Sequence, residues 1–195
     1  MPSLAETLLA QLDGSQIRDL SRRVGADEKA TGNAVQAAIP MLMAALARNA
    51  GNDQGRQALD RALERDHDGS VLDGLAGFFG KASTQEGDAI LKHVLGDGRK
   101  RVEQGLGGAS GLASDQAGQV LAMVAPLVLG ALGRTKRQEG LDAGALAGLL
   151  AGEGRQQEQA LGGLMGFLDR DGDGNVADDV LGGLARGLGG KLFGR

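Results

Sequence analysis

A proline-centred apolar segment occurs twice in the chain, and this repeat restricts the possible folds more than any other feature. Residues 39–48 read IPMLMAALAR, and residues 125–134 read APLVLGALGR, 86 positions later. At the same spacing Gly32 corresponds to Gly118. Self-similarity at a fixed spacing is the signature of repeated structural units. We therefore predict that the chain consists of two diverged copies of one unit.

A second pair of matching segments follows the first in the same order. Residues 65–73 (RDHDGSVLD) match residues 170–178 (RDGDGNVAD), here at a spacing of 105 positions. The second copy must then carry 19 additional residues between its two landmarks, and we expect them within residues 141–154. Duplication is the economical explanation. The predicted units are residues 1–82 and residues 83–195.

Composition and periodicity indicate an all-α fold. Hydrophobic residues make up 42% of the chain, but the only aromatic residues are four Phe. A core of Leu, Ala, Val, Ile and Met suits helix packing better than the strands of a β-sandwich. No stretch alternates apolar and polar residues long enough to predict a strand. Ile90, Leu91, Val94 and Leu95 share one face of a predicted helix, and His93 lies off it.

Local signals mark where helices begin and end. Ser3 with Glu6, and Ser83 with Glu86, have the spacing of a capping box, in which the Ser oxygen accepts an N–H and the carboxylate accepts one in return. Helices are expected to begin just after each Ser. Glycine can adopt a left-handed conformation at low cost and so often ends a helix. Such ends are predicted at Gly25, Gly51 and Gly96.

Two prolines interrupt the apolar segments. Pro40 and Pro126 each lack the N–H that a helix interior needs, and the ring clashes with the preceding turn. We therefore predict that each unit has an apolar core helix that is kinked or broken at its proline. Residues 117–133 carry no charge, but 17 residues with a proline are at the lower limit for crossing a bilayer. We interpret them as a buried core helix.

Charge and cysteine content exclude several classes of protein. The chain has 21 basic and 25 acidic residues with mixed signs along its length, which disfavours nucleic-acid binding. Two short basic clusters, residues 99–101 and 134–137, are interpreted as solvated surface. With no Cys there are no disulfides and no thiolate metal sites. The N-terminus lacks the basic and apolar regions of a signal peptide, so a cytoplasmic protein is expected.

The motifs together resemble a known family. A short helical lead, the proline-centred segment and residues 66–73 (DHDGSVLD) are similar to the bacterial YidB-like family, a small helical domain of unknown function. The similarity covers the first unit best and the second unit more loosely. The resemblance implies an all-helical bacterial protein, and it brings no catalytic residues.

Residues 169–176 (DRDGDGNV) open like a Ca²⁺-binding loop. Acidic oxygens at positions 1, 3 and 5 can converge on a hard cation, and Gly at position 6 allows the sharp turn. Position 12, where a bidentate Glu is expected, holds Val180. An all-oxygen set without His or Cys selects Ca²⁺ among common cations. The candidate ligands are Asp169, Asp171, Asp173, the carbonyl of Asn175, and Asp178 or Asp179.

A capping turn without an ion is the competing interpretation. Asn175 and Asp178 stand three positions apart, as do Ser70 and Asp73, which places an acid at the positive end of a following helix. In the first copy this capping turn is the expected structure, because its set of acids is poorer. These acids are Glu64, Asp66, Asp68 and Asp73.

The two histidines are interpreted as surface residues. His67 lies between two Asp residues whose charges would raise its pKa, but no nucleophile accompanies it in the sequence. His93 lies on the polar face of its predicted helix. Residues 180–195 can be drawn as a basic amphipathic helix, which would suit a membrane surface. Their low charge and single Phe favour docking on the protein's own core.

The sequence favours a non-enzymatic protein that acts by binding or assembly, modulated by weak Ca²⁺ binding if the second loop holds an ion. The expected partner is another copy of the chain or another protein, because Gly- and Leu-rich helices expose small-residue faces that a second copy can cover. Two alternatives remain: a membrane-surface protein that uses residues 180–195, and an uncharacterised hydrolase. The hydrolase would need a deep polar pocket with a perturbed acid or His.

The Ca²⁺ hypothesis is tested by calorimetric titration of the intact protein beside the double variant Asp171→Ala/Asp173→Ala. Without the bidentate twelfth ligand, we expect a dissociation constant no tighter than about 10⁻⁵ M and closer to 10⁻⁴–10⁻³ M. Helix content is followed in parallel. An absence of heat at millimolar Ca²⁺, or equal binding by the double variant, would leave the loop as a helix cap alone.

Overall fold

The computed structural model describes residues 3–75, 78–81 and 83–168, and this part of the chain is helical without strands. The all-α prediction is thus confirmed for these residues. Short 3₁₀ turns occur at Ser70–Gly74 and Gly96–Gly98. The α-helices are α1 (Leu4–Gln11), α2 (Gly14–Val24), α3 (Glu28–Asn49), α4 (Asp53–Arg65), α5 (Phe78–Lys81), α6 (Thr84–Leu95), α7 (Arg99–Ser110), α8 (Ser114–Glu139) and α9 (Ala143–Leu168).

By its contacts the chain divides into residues 1–154 and residues 155–195, with α9 running across the division. The first of these contains α1 to α8 and the beginning of α9. The boundary that the sequence repeat predicts, between residues 82 and 83, lies inside it. The second contains the end of α9 among its described residues.

Helix α8 occupies the centre of residues 1–154. It packs against α1, α2, α3, α4, α6, α7 and the first 3₁₀ turn. Of residues 117–133, only Gln119 is not buried. A helix that is apolar on all faces has to be covered on all faces, so this agrees with the predicted core helix. Leu146 and Leu150 of α9 join the same core.

Within residues 3–75, 78–81 and 83–168, two helices are long and apolar enough to cross a membrane by length and composition, α3 and α8. Within the structure, 56% of the apolar window of α3 and 89% of that of α8 are buried. The core helix of a soluble protein passes the same test. Length and apolarity therefore do not assign either helix to a membrane.

Both predicted serine caps begin a helix, but only one forms the full box. At the start of α1, the Glu6 N–H donates to Ser3 Oγ at 3.0 Å, and the Ser3 N–H donates to Glu6 Oε2 at 2.7 Å. At α6, Ser83 Oγ accepts from the Gln85 N–H at 3.2 Å. Glu86 lies instead beside His67, so the second capping box is not made.

The predicted glycine ends are fully right at two positions of three. Gly25 ends α2 in the left-handed region at φ 64°. Gly96 ends α6 with φ 50°, a conformation that a residue with a side chain rarely adopts. At Gly51 the predicted helix end is right but the left-handed conformation is wrong: α3 ends at Asn49, Ala50 caps it in a right-handed conformation, and the next residue, Gly51, does not have a positive φ.

Neither proline breaks its helix. Both α3 and α8 continue on each side of Pro40 and Pro126. Proline inside a helix costs about 3 kcal/mol. Around Pro40, Ile39, Leu42 and Met43 are at most 1% exposed, and burying one such side chain contributes about 1.5–3 kcal/mol. Burial of the flanking turns therefore outweighs the local cost.

One pair of helix starts and one pair of left-handed glycines are separated by the spacing of the sequence repeat. Helix α3 begins at Glu28 and α8 at Ser114, 86 positions apart. The same spacing separates Gly25 from Gly111, which ends α7 in the left-handed region at φ 83°. Residues 141–154, where the additional residues were expected, contain the start of α9. With 26 residues, α9 is twice as long as α4, which has 13.

One glycine permits the close crossing of α6 and α8. Gly87 is buried, and a Cβ atom at this position would overlap the backbone carbonyl oxygen of Ala122. Because Gly87 of α6 has no side chain, the axis of α6 can lie close to the backbone of α8. This contact accounts for a glycine inside α6, where it costs about 1 kcal/mol relative to Ala.

We expect Gly87→Ala to destabilise the protein by about 1–3 kcal/mol or more, because the added methyl group forces α6 away from α8. Urea denaturation of the intact chain measures the change. Gly108→Ala in α7 is the matched control, since a Cβ there has no neighbour within 4 Å. It should stabilise by about 0.5–1 kcal/mol through helix propensity. Equal stability of the two variants would contradict the close crossing.

Candidate functional site

The acid-rich turn at residues 65–74 lies against the C-terminal half of α8. Asp68 Oδ1 accepts the Ser70 N–H at 2.9 Å. Gly69 has φ 89°, and a Cβ at this position would lie 2.7 Å from the Cβ of Arg134. Glycine at this position thus allows both the left-handed turn and the close approach to α8.

Each acid that could have served as an ion ligand in the first copy is paired with a different basic side chain. The Asp66 carboxylate pairs with Arg65 at 2.9 Å. The other three acids pair with bases of α8. These pairs are Glu64 with Lys136 at 2.5 Å, Asp68 with Arg137 at 3.5 Å and Asp73 with Arg134 at 2.6 Å.

Arg134 makes the contact that closes the turn. Its Nη2 donates to the Gly69 carbonyl and to Asp73 Oδ1, both at 2.6 Å. A carbonyl and a carboxylate are also the ligands that Ca²⁺ takes from such a loop. In the turn at residues 65–74, the guanidinium group of Arg134 binds a carbonyl and a carboxylate of the kind that a Ca²⁺ ion would bind. The positive charge that Arg134 supplies comes from the protein itself.

Two glycines of α8 allow the turn to approach. A Cβ at Gly133 would overlap the His67 carbonyl oxygen, and a Cβ at Gly130 would overlap the Val71 side chain. Both residues belong to the repeated apolar segment, where the first copy has Ala47 and Ala44. The contact surface of α8 is therefore built from small residues followed by Arg134.

One expectation for this region is wrong, and another is right only in part. Ser70 and Asp73 do not form a capping box, because the residue that caps the 3₁₀ turn is Gly69, without a side-chain hydrogen bond, and Asp73 is bound to Arg134. The basic cluster at residues 134–137 is solvated surface only in part, because three of its four residues pair with acids of α4 and the turn, and of these three only Arg137 has a side chain that is more than half exposed. Lys136 is only 8% exposed. Hydrogen bonding to Glu64 raises its pKa, and Asp60 at 3.0 Å acts in the same direction.

His67 is mostly buried, contrary to the surface position expected for it. Its side chain is 11% exposed, and its Nδ1 lies 3.7 Å from Glu86 Oε1. Burial lowers the pKa of His67, while the charges of Glu86 and Asp66 act in the opposite direction without reversing it. The expected upward shift is therefore wrong. Asp66 and Asp68 have lowered pKa values, because they accept hydrogen bonds from Arg65 and Ser70 respectively.

A second polar site lies between α6, α7 and the N-terminal half of α8. It is a cavity of about 290 Å³, which we name the acidic pocket. Gly118 and Ala122 of α8 form part of its lining. The polar lining residues are Thr84, Asp88, Arg99, Glu103, Asp115 and Gln119.

Arg99 links two carboxylates across the acidic pocket. Its Nη2 donates to Asp88 Oδ1 at 2.5 Å, and its Nε donates to Glu103 Oε1 at 2.6 Å. A Cβ at Gly118 would lie 2.9 Å from Glu103 Oε1, so glycine there leaves room for this carboxylate. Asp115 adds a third carboxylate to the lining, which Arg99 does not bind. The pocket therefore has an excess of negative charge.

Sequence reasoning did not identify this site. Arg99 belongs to the basic cluster at residues 99–101, which the sequence indicates as solvated surface, and Asp115 is not part of any motif. The available signal was the alternation of sign between Arg99 and Glu103, four positions apart on one helix face. Asp88, on a different helix, could not be added from spacing alone.

The predicted Ca²⁺ ligands Asp169, Asp171, Asp173, Asn175, Asp178 and Asp179 lie outside the described residues, so the Ca²⁺ loop stays a prediction. Among residues 3–75, 78–81 and 83–168, no group of three or more His, Asp or Glu side chains is placed to hold a metal ion.

Comparison with known proteins identifies one family. The sequence model of the family described as bacterial protein of unknown function (DUF937) matches residues 6–135. No curated protein and no solved structure matches the chain. The bacterial family and the unassigned function agree with what the sequence resemblance implied. The narrower YidB-like assignment stays a prediction.

Burial of His67 predicts a loss of stability in mild acid. The folded state keeps His67 neutral, whereas the unfolded chain binds a proton near pH 6.5. The unfolded state thus binds more protons as the pH falls from 7 to 5, and the free energy of unfolding decreases. In His67→Gln this decrease should be smaller, as measured by urea denaturation at each pH.

Glu86→Gln provides the opposite control for this prediction. The Glu86 charge raises the pKa of His67, so its removal should enlarge the loss of stability between pH 7 and 5. The hydrogen bonds from Arg65 and Ser70 lower the pKa values of Asp66 and Asp68, so these two carboxylates protonate below the pH range of the His67 transition. Identical pH profiles for wild type and His67→Gln would contradict the burial of a neutral imidazole.

Proposed function

Since the chain belongs to the bacterial family of unknown function DUF937, we propose that it is a non-enzymatic protein that binds a protein partner through the acidic pocket. One observation carries this proposal: the pocket is a cavity of about 290 Å³ lined by three carboxylates and a single guanidinium group, which binds two of them. A concave site with uncompensated charge favours a ligand of opposite charge.

The bonding of Arg99 favours binding over hydrolysis. Asp88 and Glu103 each accept a short hydrogen bond from this guanidinium group. Such charge-assisted bonds stabilise the ionised carboxylates and fix their positions. A general acid or base has to exchange a proton with its substrate, and a carboxylate held by Arg is poorly suited to that task. The hydrolase alternative is therefore not favoured.

The two polar sites of α8 have different charge balances, and this difference supports the choice of site. The acid-rich turn at residues 65–74 is neutralised by α8 through Arg134 and Arg137. It therefore serves to hold α4 and the turn against the core. In the acidic pocket, Asp115 adds a carboxylate beyond the two that Arg99 binds.

An origin by duplication is part of the proposal. The equal spacing of helix starts at Glu28 and Ser114, and of left-handed ends at Gly25 and Gly111, supports it. In this proposal each copy has one apolar core helix bent at its proline, and the core helices are α3 and α8. The partner is then a second copy of the chain or another cytoplasmic protein, and Ca²⁺ binding to the second acid-rich loop modulates the interaction.

The test compares recovered partners among three forms of the tagged full-length protein. In Asp115→Asn the pocket loses a charge that makes no ion pair within the described residues. Glu28→Gln is the control, because Glu28 also lies in the first turn of a long apolar helix but outside the pocket, where it forms an exposed ion pair with Arg18 at 3.4 Å. Partners are cross-linked in cells, and their recovery is measured by quantitative mass spectrometry.

We expect wild type and Glu28→Gln to recover the same partner, including a tagged second copy if the protein self-associates. Asp115→Asn should recover it about five- to tenfold less, as expected for the loss of a charged contact. Light scattering of each purified form measures self-association independently. Equal recovery by Asp115→Asn and wild type would overturn the acidic pocket as the binding surface.

A further inference from the structure

His67 connects the acid-rich turn to two helices of the core. Its backbone carbonyl oxygen packs so closely against Gly133 of α8 that a Cβ atom on this glycine would overlap it. Its Nδ1 lies 3.7 Å from Oε1 of Glu86, in the first turn of α6. The side chain is 11% exposed, and within the described residues its ring makes no hydrogen bond. A neutral imidazole ring is therefore packed where the turn meets α6.

Protonation of the His67 ring destabilises this packing. A buried charge costs free energy unless an opposite charge and hydrogen bonds compensate it. The carboxylate available on α6 is that of Glu86, but its side chain is 63% exposed and its oxygen lies beyond hydrogen-bond distance. Burial therefore lowers the pKa of His67, although the charges of Glu86 and Asp66 act in the opposite direction. The imidazolium form is more stable when the turn has moved into solvent.

The other charged groups around His67 already form ion pairs. They belong to α4, the acid-rich turn and the C-terminal end of α8, and the pairs are Asp66 with Arg65, Asp68 with Arg137, Asp73 with Arg134, and both Asp60 and Glu64 with Lys136. Within residues 3–75, 78–81 and 83–168, no three acids or His side chains are placed to hold a metal ion. Of the side-chain types in this region, only imidazole ordinarily changes its charge between pH 7 and about 5.5. His67 is therefore the group that can respond to mild acid.

Few buried apolar contacts hold the turn against α8. In residues 65–74, Leu72 is buried and Val71 is partly buried against the core. The ion pair with Arg134 involves Asp73, whose side chain is 73% exposed, and exposed ion pairs contribute little to stability. Segments with few buried contacts open at a lower free energy than the core of a protein. The turn can therefore leave α8 while the core stays folded.

We propose that the acid-rich turn is an acid-sensitive latch on α8: protonation of His67 releases residues 65–74 from the C-terminal half of α8 while the core helices stay folded. Release separates Arg134 from Asp73 and uncovers the surface of α8 around Gly133. This inference goes beyond the proposed function, because the latch lies at the end of α8 away from the acidic pocket. At neutral pH the ring is uncharged and the latch stays closed.

Thiol labelling measures the opening directly, because the protein has no Cys of its own. Leu72→Cys places a thiol in the buried part of the turn, where the native residue is 7% exposed. Val124→Cys places one in the middle of α8, where the native residue is fully buried, and is the matched control for the core. Each full-length variant is labelled between pH 7 and about 5.5 at several low urea concentrations. Dividing each rate by that of an unstructured peptide with the same neighbouring residues removes the pH dependence of the thiol itself.

We expect the opening constant in Leu72→Cys to rise as the pH falls from 7 to about 5.5, by at most about eightfold, the limit for one group that titrates near pH 6.5 when exposed. Its labelling should depend weakly on urea, because a local opening exposes little surface, and should be more than about tenfold faster than in Val124→Cys. His67→Gln should abolish the rise, whereas His93→Gln, at an exposed position of α6, should keep it. Exchange of the Leu72 N–H, which donates to the Gly69 carbonyl at 3.1 Å, repeats the measurement without Cys.

Any of three results would contradict the latch. The first is a labelling rate in Leu72→Cys that does not change with pH, and the second is an unchanged pH response when His67→Gln is added. The third is equal labelling and equal urea dependence in Leu72→Cys and Val124→Cys, which would mean that acid unfolds the whole protein. Failure of the proposed function is a separate outcome, because it is decided by the partner recovery of Asp115→Asn, a substitution outside the latch.

Discussion

Burial of α8 is the constraint on which the rest of this structure depends. Residues 117–133 carry no charge, and a helix that is apolar on all faces is stable only when other helices cover it. Six helices do so. Charge returns at the ends of the segment, with Asp115 before it and Arg134 after it, where each sign also suits the helix dipole. Both polar sites of residues 1–154 therefore form at the two ends of one buried helix.

Several of the glycines serve this packing. Small residues let helix axes approach closely, and in this protein the missing side chain often faces a backbone carbonyl group. Gly87 faces Ala122 of α8, and Gly133 of α8 faces His67. Each glycine costs about 1 kcal/mol of helix propensity. That cost is offset because the close approach brings the acid-rich turn within reach of Arg134 and brings α6 against α8, where Asp88 can reach Arg99.

The two ends of α8 use the same chemistry for different purposes. At its C-terminal end, Arg134, Lys136 and Arg137 form ion pairs with acids of α4 and the turn, so the positive and negative charges neutralise one another within the protein. At its N-terminal end, Arg99 binds two of three carboxylates, and its single positive charge faces three negative charges around a cavity. An internally neutralised cluster stabilises the fold, whereas an uncompensated cavity is suited to an external cation. This contrast is the physical basis for placing recognition at the acidic pocket.

The pattern of neighbouring residues in the sequence determined the helical class and the buried core helix. It also determined the serine caps at Ser3 and Ser83 and the glycine ends at Gly25 and Gly96. Each of these features depends on residues within one or two helical turns. Only the tertiary structure decided which charges meet. The partner of Asp73 is Arg134, 61 positions away, and Arg99 joins acids from two helices. Burial also reversed the expected pKa shift of His67 and carried α3 through Pro40. These outcomes depend on free energies of packing between distant segments, which local patterns do not contain.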